Sequence, residues 1–292
     1  MPRMIPRRTW LIAALAALLA LAGAGCTDSS KLSERKATEH VERLAKLADD
    51  DVDEVRRGLP RGAKALGQLW ESKADPKADP AAVRRALDRV RDQDRDLTVA
   101  KSTFFALADD KGAVIRSDQE PDILAGKSLT DAYPQTVKVL SGEAVETVGA
   151  MVEAAGARNG GDEQWVAAAP VRDRSGVVRG IYATGWSLRR FCFHLEETLK
   201  HDFMEEALKA HDSRYKLPLL YVFVFVGSRV YGAPVTPLVN SQALEGLDLP
   251  AKTSDGVLHQ RLDIAGRTFG LAAKALPKLG ARAGVAVLRS EI

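Results

Sequence analysis

The sequence predicts an α+β protein: long N-terminal helices followed by two antiparallel five-stranded sheets, each with short helices on one face. Three observations predict it. Apolar residues recur at three- and four-residue spacing from Val41 to Leu97 on an otherwise charged background. Short apolar runs bounded by Gly-containing polar turns fill the rest of the chain. The order two strands, helical excursion, three strands occurs once over Phe104–Arg190 and again over Leu217–Ile292.

The N-terminus carries Arg3, Arg7 and Arg8, then an apolar run from Trp10 to Leu21, then Gly23, Ala24 and Gly25 before Cys26. This is a secretory signal, too short for a stable transmembrane helix. The cysteine after small residues resembles a lipoprotein processing site, which implies cleavage before Cys26 and lipidation of its thiol, as with palmitate. Gly23 departs from that pattern, standing where such sites usually carry a larger aliphatic residue. Arg7-Arg8-Thr9-Trp10-Leu11 also resembles a twin-arginine signal, so both export routes stay open.

Charge excludes one class of partner. The chain has 42 Lys+Arg against 39 Asp+Glu, and three of the arginines precede Cys26. The mature chain is therefore formally neutral, with no concentrated basic run, and no nucleic-acid partner is expected. Of the two cysteines, Cys26 is assigned to lipid; Cys192, between Phe191 and Phe193, reads as a small buried apolar residue.

Residues 27–97 form the N-terminal helical segment. Val41, Leu44, Ala48, Val52, Val55 and Leu59 make one stripe, which Pro60 and Gly62 are expected to interrupt. Asp79-Pro80 starts the next helix, with Asp as cap and Pro in the first turn. Val83, Leu87, Val90 and Leu97 continue the stripe.

Residues 98–190 form the first sheet module. FFALADD closes on Asp109-Asp110-Lys111-Gly112, where Gly admits positive φ, and AVIRS completes a hairpin. Val145–Val152, Gln164–Arg172 and Val177–Ser187 are the third to fifth strands. Residues 191–215 read as a connecting helix, with Phe191, Leu195, Leu199 and Phe203 on one face. Residues 216–292 are a second, smaller module. It begins with LLYVFVFV, a run far too short to span a bilayer. Asn240-Ser241 is expected to cap a short helix through Leu244, and strands are expected over 257–264, 267–276 and 284–289.

The hairpin ALADDKGAVIRSD, the loop LAGKSLTD, the step VLSGEAVE and the pair VAAAPVRDRSGVVRGIYATG, in that order, resemble the Cache family of extracytoplasmic sensor domains, built on a PAS-like sheet. Repetition of the element order extends the resemblance to the double-Cache arrangement. It implies a ligand pocket between the sheet and the short helices. It also implies an N-terminal helix lying along the sheet, through which a homodimer would form. Candidate ligand contacts are Arg116, suited to a carboxylate, Asp131 and Tyr133 in the excursion, Trp165 on strand four, and Tyr182 and Thr184 on strand five. Small Ala167 and Ala169 leave space either for a ligand or for a closely packed helix.

Enzymatic readings find little support. There is no G-x-S-x-G elbow. Gly126-Lys127-Ser128 lacks the first P-loop glycine, since Pro121 stands there. His194, Glu197 and His201 share a helix face without a fourth ligand, so no metal and no cofactor is expected. The expectation is a non-enzymatic, membrane-anchored envelope lipoprotein, on the periplasmic or outer-surface side. It would bind a small molecule and act through a separate membrane kinase or chemoreceptor. The alternative is a structural or protein-interaction lipoprotein with no small-molecule ligand.

Overall fold

The computed structural model describes the backbone of residues 8–71, 75–151, 163–210 and 217–291, and side chains from residue 29 onward apart from 206, 207, 209 and 210. Helix α1 (Arg8–Leu66) leads into α2 (Pro80–Gln93) and α3 (Arg95–Val99). The first module follows as β1 (Phe104–Asp109), β2 (Val114–Ser117), α4 (Leu129–Ala132), α5 (Val137–Leu140), β3 (Val145–Gly149), β4 (Gln164–Arg172) and β5 (Val178–Ser187). Helix α6 (Leu188–Ala210) leads to the second module. That module comprises β6 (Leu219–Val226), β7 (Arg229–Gly232), α7 (Leu238–Glu245), α8 (Leu249–Lys252), β8 (Leu258–Ile264), β9 (Arg267–Ala275) and β10 (Ala283–Ser290).

The two sheets have the same permutation, β2-β1-β5-β4-β3 and β7-β6-β10-β9-β8, and every pairing is antiparallel. The central strands are buried on both faces. Each sheet is therefore the middle of a sandwich, with a helical layer on either side. One layer is shared: α1, α2, α3 and α6 cover one face of both sheets and join them into one continuous core. The other faces carry separate cores, under α4 and α5 in the first module and under α7 and α8 in the second.

Helix α1 spans both modules because two glycines let it touch each sheet directly. A Cβ at Gly270 on β9 would lie 2.4 Å from the Glu34 backbone, and one at Gly67 would lie 2.1 Å from the Arg172 carbonyl oxygen. The helix does not stop at Pro60 and Gly62, contrary to expectation. It runs on to Leu66 because Gly58 and Gly62 sit under Leu97, Val90 and Tyr182, where no side chain would fit. These glycines serve close packing rather than chain reversal. Asp79 caps α2 as expected, its Oδ1 accepting from the Ala82 N–H at 2.9 Å. Helix α7 starts earlier than expected, at Leu238. Pro237 supplies the φ of −57° that a helix start needs, and Asn240 and Ser241 are buried inside the helix. Strand β3 ends at Gly149, and Val152 lies outside the described residues.

The Ser33–Glu34 stretch of α1 meets the end of β10 and the neighbouring β8. The Glu291 N–H donates to Ser33 Oγ at 3.1 Å, and Arg261 on β8 pairs with Glu34 at 3.3 Å. Every described core residue lies at Ala37 or beyond. A chain beginning at Thr27 therefore keeps every one of these buried apolar residues. Among the described residues, no helix is long and apolar enough to cross a membrane.

Candidate ligand-binding site

Register decides which residues can meet. Arg116 on β2 stands opposite Leu107, Leu107 opposite Tyr182, and Tyr182 opposite Ala169. Residues in one such row share a face, and this row faces α1 and α2. Trp165 and Thr184 belong to the same face by alternation. Tyr133 lies on the opposite side, in the core under α4 and α5. The structure thus divides the six expected contacts. Trp165, Tyr182 and Thr184 do not reach the pocket between the sheet and the short helices, because their strand positions turn them towards the long helix.

Under the short helices, the sheet presents Phe104, Ala106, Ala108, Val166, Ala168 and Ala183, closed by Leu124, Leu129, Val139 and Met151. Into this apolar layer comes one buried polar pair. Tyr133 Oη donates to Gln164 Oε1 at 2.8 Å, and the same oxygen accepts from the Met151 N–H at 3.1 Å. Tyr133 is fully buried and Gln164 is 1% exposed. Gln164 Oε1 thus takes two donors inside an apolar layer. Gln164 escaped the sequence reading. Its signal was the alternation phase, since it shares a face with Val166 and Ala168 rather than with Trp165.

Arg116 is already neutralised. Its guanidinium lies 2.5 Å from Glu120 and 3.0 Å from Asp122. Asp122 also accepts from the Ser117 N–H, the Ser117 hydroxyl and the Leu124 N–H. These donors outweigh burial and hold the Asp122 carboxyl below the usual range. Arg116 therefore orders the β2–α4 loop and has no free charge to offer a carboxylate. Asp131 is exposed at the third position of α4, where its N–H donates to the capping Ser128 hydroxyl at 3.1 Å.

On the helix side, the aromatics form a stack. Trp165 and Trp186 lie 4.3 Å apart, and Trp186 and Phe191 4.8 Å, so β4, β5 and α6 are joined by three parallel rings. Tyr182 stacks on Phe105 at 6.1 Å; burial and the nearby Asp118 carboxylate push its hydroxyl above the usual range. Thr184 Oγ1 donates to the Phe104 carbonyl at 2.8 Å. Ala167 and Ala169 leave space beside α1: a groove of about 310 Å³, lined by Leu59, Pro60, Val145 and the alanines and crossed by the Arg56–Glu146 pair at 2.6 Å.

Next to the aromatic stack is a buried acid. Asp51 on α1 is 3% exposed, and its Oδ2 lies 3.8 Å from His194 Nε2 on α6. Neither atom has a hydrogen-bond partner among the described residues. Burial, then the Glu54 charge, raises the Asp51 carboxyl to about 7, while burial lowers His194. His201 instead faces Glu205 at 3.6 Å, so the three residues considered for a metal turn to different neighbours.

No protein-family model and no curated protein sequence matches the chain. Solved structures are similar in shape. The sensory domain of the Campylobacter jejuni chemoreceptor Tlp3, with isoleucine bound, aligns over 90% of this chain and 96% of its own, at 11% identity and a TM-score of 0.49. The ligand-binding domain of the Pseudomonas aeruginosa amino-acid chemoreceptor PctC, in complex with GABA, aligns over 86% and 97%, at 13% identity and a TM-score of 0.45. An extracellular ligand-binding receptor from Desulfohalobium retbaense aligns over 85% of this chain at 11% identity and a TM-score of 0.47. This chain spans 39% of that receptor's length. At such identity the likeness concerns architecture alone. By its long helix and its two sheets of identical strand order, the protein has a two-module α+β fold.

Proposed function

We propose that this is an envelope sensor whose first module binds a small molecule on the short-helix face of its sheet, and that it acts through a membrane kinase or chemoreceptor. The observation that carries the reading is the Tyr133–Gln164 pair, a buried polar anchor in an otherwise apolar layer. Most binding pockets combine apolar walls with a few fixed polar groups in this way. The test is a thermal-shift screen of the chain from Thr27 onward against carboxylates, amines, nucleotides and sugars. A true ligand at a hundred times its dissociation constant adds roughly 2.7 kcal/mol to apparent stability.

A second reading is favoured by one feature. Tyr133 itself fills space under α4, its ring lying where a Cβ at Gly149 would stand. A module filled by its own side chains suits a structural or interaction lipoprotein, and a screen with no shift in any class would support it.

Lipidation of Cys26 and retention at the membrane complete the proposal. Cys26→Ser should move the protein from the membrane to the soluble fraction, and unchanged retention would remove lipidation from the account.

A further inference from the structure

Polar atoms without partners gather where α1, α6 and β5 meet. Asp51 Oδ2, His194 Nε2 and Trp186 Nε1 are each shielded from solvent, and none has a hydrogen-bond partner among the described residues. Asp51 and His194 approach to 3.8 Å, too far for a hydrogen bond. The His194 ring lies 6.3 Å from that of Phe191, which stacks on Trp186 at 4.8 Å. Ser102 Oγ, in the loop between α3 and β1, is a fourth such atom. Its neighbour Thr103 bonds to the Gly185 carbonyl at 2.8 Å and accepts from the Ser187 N–H at 3.3 Å, the two residues that flank Trp186. Lys101, at the start of that loop, acts on both Asp51 and His194. Each buried polar group left unpaired costs roughly 1–3 kcal/mol. The junction is therefore held closed by the apolar packing around it.

The two modules also join here. Helix α6 is the covalent link between them, and Cys192 Sγ donates to the Tyr231 carbonyl on β7 at 3.0 Å. Within two turns of Asp51 on α1, Asp53 pairs with Lys278 at 2.6 Å. Arg56 donates to the Lys278 carbonyl at 3.1 Å while holding Glu146 on β3 of the first module. A movement of α6 against α1 at Asp51 thus bears on both modules.

The charges that face Asp51 oppose its ionisation on balance. Asp50 and Glu54 come from α1 itself, Lys101 from the α3–β1 loop and His194 from α6, while β5 contributes the indole of Trp186 and no charge. Burial and the Glu54 charge outweigh the exposed Lys101, so the Asp51 carboxyl keeps its proton up to about pH 7, and burial keeps His194 neutral. An ionised Asp51 would stand buried with no donor to its Oδ2. Water reaches it only if α6 moves away from α1. We propose that the Asp51–His194 contact is a proton-operated latch: the protonated pair keeps α6 closed on α1, and loss of the proton to solvent parts the two helices. The proton is a second input, at a site separate from the Tyr133–Gln164 pair, and the inference does not rest on that reading. It also goes beyond pH-dependent stability, because the opening is local to the junction.

The test uses the full chain with Cys26→Ser, in mild detergent, so that the buried Cys192 is the one thiol present. The rate at which a thiol reagent labels Cys192 reports how often α6 opens. It is measured between pH 5 and pH 8, with and without Asp51→Asn. The ratio of the two rates cancels the pH dependence of the thiol itself. This ratio should rise at least about tenfold across the range, since opening lets the carboxyl return to its ordinary acidity. A ratio that stays flat would overturn the latch. Ala106→Cys with Cys192→Ser places the thiol in the core under α4 and α5, where Ala106 is fully buried. There the ratio should not rise. An equal rise at position 106 would make the opening global and would also overturn the latch.

Discussion

Trp186→Ala should destabilise the protein by about 3–5 kcal/mol, the range for truncating a large buried aromatic. Trp186 is fully buried between Trp165 on β4 and Phe191 on α6, at 4.3 Å and 4.8 Å. Truncation removes both ring contacts and leaves a cavity where the first sheet passes into the connecting helix. Its Nε1 has no hydrogen-bond partner among the described residues, so no polar bond is lost with it. Trp186→Phe should therefore cost much less, because it keeps an aromatic in the stack and removes a buried, unpartnered donor. Urea unfolding of the three proteins checks this. A cost for the alanine variant below about 1 kcal/mol would mean that the stack does not join the sheet to α6.

The second large effect concerns Asp51, and its sign depends on pH. Burial lifts the folded carboxyl to about 7 from the ordinary aspartate value of 3.8, so the folded state holds its proton more tightly than the unfolded state does. Stability from this group is fully present below about pH 4, falls as pH rises, and is gone once pH passes about 7. His194 has the opposite linkage: its pKa is lowered, so its contribution is present above the usual histidine range and lost on acidification. Asp51→Asn removes only the first. The asparagine variant should be more stable than the parent at pH 8 by roughly 2–4 kcal/mol, and nearly equal to it at pH 4. Asp50, Glu54 and Lys101, which act on Asp51, and His194 on α6 are unchanged in both proteins. A difference that does not vary with pH would show that Asp51 is ionised in the fold.

Much of this architecture is written locally. Gly112 and Gly176 take positive φ at the β1–β2 and β4–β5 turns, as the turn sequences require, and Asp79-Pro80 starts a helix for reasons within four residues. The misreadings arise where a local signal has a tertiary cause. Gly62 looks like a helix breaker but is the point where Tyr182 and Val90 press on α1. Alternation grouped Tyr182 with Thr184 correctly, yet could not say which face would carry the short helices. Strand β5 is buried on both faces, so hydrophobicity does not distinguish them. Arg116 read as a candidate contact for a carboxylate ligand; Glu120 and Asp122 follow within six residues, and the loop folds back to place both on it. The Asp51–His194 contact joins residues far apart in the chain, and no spacing rule reaches it.

The central claim is that the buried Tyr133–Gln164 pair is the polar anchor of a ligand site. The most direct measurement is the same thermal-shift screen run side by side on the chain from Thr27 onward and on its Gln164→Leu variant. The account predicts that one chemical class raises the melting temperature of the parent, and that this response is lost in the variant while the variant still unfolds cooperatively. An equal response in both proteins would place the ligand elsewhere and contradict it.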